Sequence, residues 1–159
     1  MAARADFDSL LLQLADAGVA FIVVGGVAAF IQGSELATVD LDIVHERSEE
    51  NVARLLGVLR DLGAHSRGQP ELTPGPQALI GPGHQLLFTP LADLDVLGAL
   101  EGDQSYDDLI READEVSFRG RQIRVLSLEQ LIALKKRSSR EKDRIALAYL
   151  QAVARKRDV

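Results

Sequence analysis

Hydrophobic positions along the chain alternate between a helical period and a strand period. Phe7, Leu10, Leu11 and Leu14 recur at i, i+3, i+4 and i+7, the spacing of one apolar helix face, and Gly18 ends that helix. Ala20 to Val24 is short and apolar, which predicts a strand covered on both faces. Gly25 and Gly26 close it, and Val27 to Ile31 reads as a short buried helix running to Gly33. From Val39 to Val44 apolar and acidic residues alternate, so this stretch predicts a strand with Asp40 and Asp42 on one face. Leu41, Ile43 and Val44 make that strand central rather than an edge. Ser48 caps a helix whose core stripe is Val52, Leu55, Leu56 and Leu59 and which stops at Gly63.

Beyond Gly63 the pattern breaks. Pro70, Pro74, Pro76 and Pro82 lie among Gly68, Gly75, Gly81 and Gly83, which predicts a flexible loop or flap over residues 66–83 rather than a packed element. Gln85 to Thr89 and Ala92 to Leu97 then read as strands, the second alternating Asp93 and Asp95 with Leu94 and Val96. Ser105 and Asp108 have the spacing of a capping box, opening a helix through Leu109 and Ile110. Val116 to Phe118 and Gln122 to Leu126 flank a hairpin turn at Arg119-Gly120-Arg121. Ser127 with Gln130, and Ser138 with Glu141, predict two more capping boxes and hence a pair of C-terminal helices, the last presenting Ile145, Ala148 and Ala152 on one face. The sum is an α+β fold: a mixed β-sheet flanked by helices, followed by a C-terminal helical pair. It forms one domain over residues 1–159, with its core at about 18–126 and the helical pair at about 127–157.

Composition narrows the chemistry. A chain of 159 residues that is 47% apolar buries about 68–70% of its unfolded surface, so it needs no metal or disulfide staple. With no cysteine and three histidines, a disulfide framework, a thiolate zinc site and a histidine-built metal site are all disfavoured, and a cytoplasmic location is expected. Two uncharged runs, residues 17–34 and 72–92, are interrupted by glycine and proline, so neither reads as a membrane span. The start, Met1-Ala-Ala-Arg-Ala-Asp, has no apolar stretch of the kind a signal peptide carries. A net charge of −6 argues against a protein that coats DNA. That total conceals a split, because residues 119–159 hold 12 basic and 4 acidic side chains while residues 1–118 hold 6 basic and 20 acidic.

A strand that ends in two glycines and opens a helix leaves backbone N–H groups open to a phosphate. Two aspartates at i and i+2 on a strand point the same way with Cα atoms roughly 6–7 Å apart, so together they can hold a hard cation through oxygen. Gly25-Gly26 followed by Thr38-Val-Asp40-Leu-Asp42 resembles the nucleotidyltransferase fold of the DNA polymerase beta superfamily. Ser127-Leu-Glu-Gln-Leu-Ile-Ala-Leu-Lys-Lys, with Arg140-Glu-Lys-Asp143, is similar to the small bacterial and archaeal nucleotidyltransferases related to AbiEii-type toxins. The resemblance runs from about residue 5 to residue 150.

That resemblance implies a division of labour. Gly25, Gly26 and Thr38 would lie at the nucleotide. Asp40, Asp42 and Asp95 would be the catalytic carboxylates and bind two magnesium ions, with manganese as a substitute. Lys135, Arg140 and Lys142 would meet phosphate oxygens, and Asp143 would orient one of them. The implied reaction is magnesium-dependent transfer of a nucleotide from a nucleoside triphosphate such as ATP to a hydroxyl on a protein, a transfer RNA or a small molecule. An antitoxin would be the partner if the chain is the toxin of a toxin–antitoxin pair. Asp93 competes with Asp95 for the third carboxylate position, although a solvent-facing strand residue is its better account. His45 and His84 read as structural or surface residues, and Lys136, Arg137, Arg144, Arg155, Lys156 and Arg157 as a solvated face. The pattern departs from its relatives at Leu36, where a basic residue is common, and at Gly26, where many members have serine. Leu36 motivates the alternative, a catalytically degenerate nucleotide-binding or partner-binding module. An RNA-binding surface built on stacking is disfavoured, because only 4% of residues are aromatic.

Overall fold

The computed structural model describes residues 5–158. In chain order the elements are α1 (Phe7–Asp16), β1 (Phe21–Val24), α2 (Gly25–Ile31), β2 (Asp40–His45), α3 (Glu49–Leu62), β3 (His65–Ser66) and α4 (Pro76–Ile80). There follow β4 (His84–Phe88), β5 (Asp93–Leu97), α5 (Tyr106–Leu109), β6 (Asp114–Phe118), β7 (Arg121–Val125), α6 (Leu128–Arg137) and α7 (Glu141–Arg157). The strands make one sheet in the order β3-β4-β5-β2-β1-β7-β6. It is mixed: β2 runs parallel to β5 and β1 parallel to β7, while the other neighbours are antiparallel. This is the expected α+β architecture, with β2 near its centre.

The alternation of β2 places the site. Leu41 and Ile43 point to one face, where they are fully buried in a core shared with Leu10 and Leu14 of α1 and Leu55 and Leu59 of α3. Asp40 and Asp42 therefore point to the other face. The parallel register sets Asp40 beside Asp93 and Asp42 beside Asp95, and β4 continues the second row with Leu86 opposite Asp95. Local sequence determines most helix ends. Ser48 accepts from the Asn51 N–H at the start of α3, Gly63 ends that helix at φ +69°, and capping boxes close at Ser105/Asp108 and Ser127/Gln130.

Four expectations need correction. First, the segment 66–83 is not all loop: Pro76 starts α4, whose Leu79 is fully buried and whose carbonyl accepts a hydrogen bond from His45 Nε2 at 2.6 Å. Second, Ser138 does not cap α7. Arg140 occupies the N-cap, and the Ser138 hydroxyl donates to Asp143 instead. Third, α7 does not bury the Ile145, Ala148, Ala152 stripe. Its inward side carries Asp143 and Leu150, with Val153 and Ala154 packed on the core, whereas Ile145 is 51% exposed. Fourth, β2 begins at Asp40, because the ladder to β5 starts there, and Val39 is 76% exposed. Among the described residues no helix is long and apolar enough to cross a membrane.

Candidate active site

The glycine pair sits where the sheet meets α2. Gly25 has φ +65°, and a Cβ there would overlap the Asp42 carboxylate. At Gly26 a Cβ would come within 2.5 Å of Thr38 Oγ1. Both positions therefore need glycine for local steric reasons, and the threonine hydroxyl fills the space that a side chain at residue 26 would take. That hydroxyl donates to the Asp40 carbonyl at 3.2 Å, tying the segment before β2 to its first residue.

One oxygen from each of Asp40, Asp42 and Asp95 lies within 4.8 Å of the others. Burial, a hydrogen bond with Asp95 and the negative charges of Asp95 and Asp40 push the Asp42 pKa up to about 7, and Lys135 opposes them. Asp42 Oδ1 is buried without a hydrogen-bond partner. Asp40 is also raised, by burial and by Asp95 and Asp93, with Arg67 and Lys142 acting against them. Crowded carboxylates with an orphaned oxygen are the environment that a hard divalent cation would relieve, so the residues present fit such an ion.

One participant, Arg67, escaped the sequence reading, and it recasts the role of another, Asp93. Arg67, at the base of the flap, reaches Asp95 Oδ1 at 2.5 Å through Nη2, and Asp93 Oδ2 at 3.4 Å and Asp40 Oδ1 at 3.9 Å through Nη1. Asp93 is thus a partner of that arginine rather than a merely solvent-facing residue. A signal was present: Arg67 is the only lysine or arginine in the sequence between Arg60 and Arg111.

The basic end of the chain reaches the same place. Asp42, Gly25, Leu131, Lys135, Arg140 and Asp143 all line a cavity of about 470 Å³. Lys135 Nζ donates to Asp143 Oδ1 at 3.0 Å, while Arg140 Nε and the Ser138 hydroxyl donate to Oδ2 at 2.9 and 2.6 Å. Burial alone would raise the Asp143 pKa, but the bonds from Ser138, Lys135 and Arg140 outweigh it and hold the group at about 2. Lys142 is exposed and does not line the cavity, yet its charge reaches Asp40. His84 also lines the cavity, with Nε2 bonded to the Ala99 carbonyl, and His45 is buried against α4.

The mixed sheet and the C-terminal helices match the fold of solved nucleotidyltransferases. Residues 94–159 match a family described as nucleotidyl transferase of unknown function (DUF2204). Among solved structures, the chain is similar to the lincosamide antibiotic adenylyltransferase LnuA bound to lincomycin. The TM-score is 0.60 at 15% identity, over 91% of this chain and 94% of that one. A Thermotoga maritima protein described as a candidate nucleotidyltransferase gives a TM-score of 0.56 at 20% identity, over 92% and 93%. ANT(2")-Ia in complex with adenylyl-2"-tobramycin gives 0.56 at 15% identity, over 89% and 83%. No curated protein matches by sequence.

Proposed function

We propose that the protein is a divalent-metal-dependent nucleotidyltransferase that moves a nucleotide from a nucleoside triphosphate to an acceptor hydroxyl. The observation that carries this reading is the crowding of Asp42 with Asp40 and Asp95, where Asp42 also lines one cavity with two held cations, Lys135 and Arg140. Magnesium held by Asp40, Asp42 and Asp95 would offset phosphate charge and lower the pKa of the attacking hydroxyl. Gly25 and Gly26 let a phosphate approach the backbone at the start of α2. Lys135 and Arg140, fixed in place by Asp143, meet its oxygens. The acceptor oxygen bonds to the α-phosphorus, pyrophosphate leaves, and Asp95 takes the hydroxyl proton.

A small-molecule acceptor is the first to try, because two of the similar structures hold or act on antibiotics. Protein side chains and transfer RNA remain the other acceptor classes, and an antitoxin partner rests on the AbiEii-type resemblance alone. The Arg67 contacts favour a second reading: a degenerate module whose carboxylates are permanently neutralised and which binds nucleotide without turnover. To separate the two, the protein is incubated with α-labelled nucleoside triphosphates, Mg²⁺ and either a lincosamide, an aminoglycoside or cell extract. Label transfer that disappears in Asp42→Asn supports the enzyme. Nucleotide binding with no pyrophosphate release under any of these conditions supports the module.

A further inference from the structure

Arg67 has no part in the reaction above, yet it is the side chain in closest ionic contact with the carboxylate cluster. Its backbone is anchored, because the Arg67 N–H donates to the Leu86 carbonyl at 3.0 Å and the Ser66 N–H to the Leu72 carbonyl at 2.7 Å. The flap base is therefore stapled to β4, and only the side chain spans from there to β5. The guanidinium engages oxygens of Asp95 and Asp40, two of the three residues able to ligate a cation, together with Asp93, which is outside that trio. Asp42 makes no contact with it and faces the cavity on the other side. The cluster is thus closed from the flap and open toward the nucleotide side.

A guanidinium and a divalent ion cannot share these oxygens without strong repulsion at such short range. A triphosphate in the cavity would supply the negative charge that tips the balance toward the metal. We infer that Arg67 is an internal counter-cation that keeps free divalent ions off Asp40 and Asp95 and yields when a nucleotide arrives with its metal. Metal loading is thereby coupled to nucleotide binding. The inference rests on the proposed reading for the metal and the nucleotide, but its readout is metal affinity rather than turnover.

The test titrates Mn²⁺ into the full-length protein and counts free ion by electron paramagnetic resonance, with and without a non-hydrolysable nucleoside triphosphate. Arg67→Gln is expected to tighten Mn²⁺ binding without nucleotide by roughly tenfold or more, and to shrink the enhancement that nucleotide gives. Arg67→Lys keeps the charge and should stay near wild type. Asp93→Asn is the discriminating variant. Deleting a negative charge beside the site would by itself weaken cation binding, whereas loosening the arginine strengthens it, so a rise in affinity is expected. Unchanged Mn²⁺ affinity in Arg67→Gln, weaker binding in Asp93→Asn, or no Mn²⁺ binding by any variant overturns the inference. Tighter binding in Arg67→Gln and Asp93→Asn without any nucleotide transfer would leave it standing and defeat only the enzymatic reading. Circular-dichroism melts confirm that each variant is folded.

Discussion

Asp42 and Asp143 line the same cavity and carry the same carboxylate, but their surroundings act in opposite directions. Asp42 shares its space with Asp40 and Asp95, has one oxygen without a partner, and has its pKa pushed up to about 7. Asp143 is barely exposed, at 2%, yet three donors hold it at about 2. Burial is common to both, so it does not explain the difference; the balance of donors and like charges does. A buried carboxylate whose charge is already satisfied is scaffold, and one left unsatisfied is waiting for a ligand. The pair therefore separates the carboxylate cluster that could hold a cation from the structural knot that holds Lys135 and Arg140 in place.

The comparison breaks most sharply under paired substitutions. Asp42→Asn should lower nucleotide transfer by roughly 10³-fold or more, as loss of a central ligand does in metal-assisted catalysis. The same change removes a like-charge conflict, so the metal-free protein should melt a few degrees higher. Asp143→Asn should do the reverse to stability, costing roughly 1–3 kcal/mol because it leaves Lys135 short of its buried partner. Transfer should fall less than in Asp42→Asn, by roughly 10- to 100-fold, through KM for the nucleotide. Calorimetry and steady-state kinetics on both proteins check this. Equal melting shifts of the same sign would erase the distinction.

A pH series tests it with smaller effects. The folded-state pKa of Asp143 is depressed, so its contribution is present above about pH 4 and is lost as pH falls toward 2. Asp42 is raised, so the fold favours its protonated form. Its contribution is greatest at about pH 4 and below, and is lost as pH rises toward 7. Metal-free protein should thus lose stability along both limbs. Saturating Mg²⁺ should remove the upper limb and leave the lower one, and Asp42→Asn should flatten the upper limb without metal. Chemical denaturation at fixed pH values measures both.

The parts of the site also differ in how far the sequence revealed them. Asp40 and Asp42 were legible because their signal is local: alternation over Val39 to Val44 puts both on one face, whereas the alternation that marks Asp95 marks Asp93 equally and only the family resemblance chose between them. The caps at Ser48, Ser105 and Ser127 were legible for the same reason, since each is settled within four residues. Arg67 was not, because its partners lie 26 and 28 residues further on and 27 residues back, brought together only when β4 returns beside β5. Helix α4 was hidden by its setting, a five-residue turn among prolines and glycines whose anchor is the distant His45.

The face of α7 was misread for a related reason, and this supplies the smallest effect. The spacing of Ile145, Ala148 and Ala152 picked out one apolar face, but that face is not the one the fold buries, because the helix is docked at its start by a charged residue. Asp143 points inward to meet Lys135, Ser138 and Arg140, and that rotation turns Leu150 to the core and Ile145 to solvent. Ile145→Ser should therefore change stability by no more than about 0.5 kcal/mol, whereas Leu150→Ala should cost roughly 2–5 kcal/mol. If urea denaturation instead found Ile145→Ser the costlier change, the knot at Asp143 would not be setting the orientation of α7, and its role as the scaffold for Lys135 and Arg140 would fall with it.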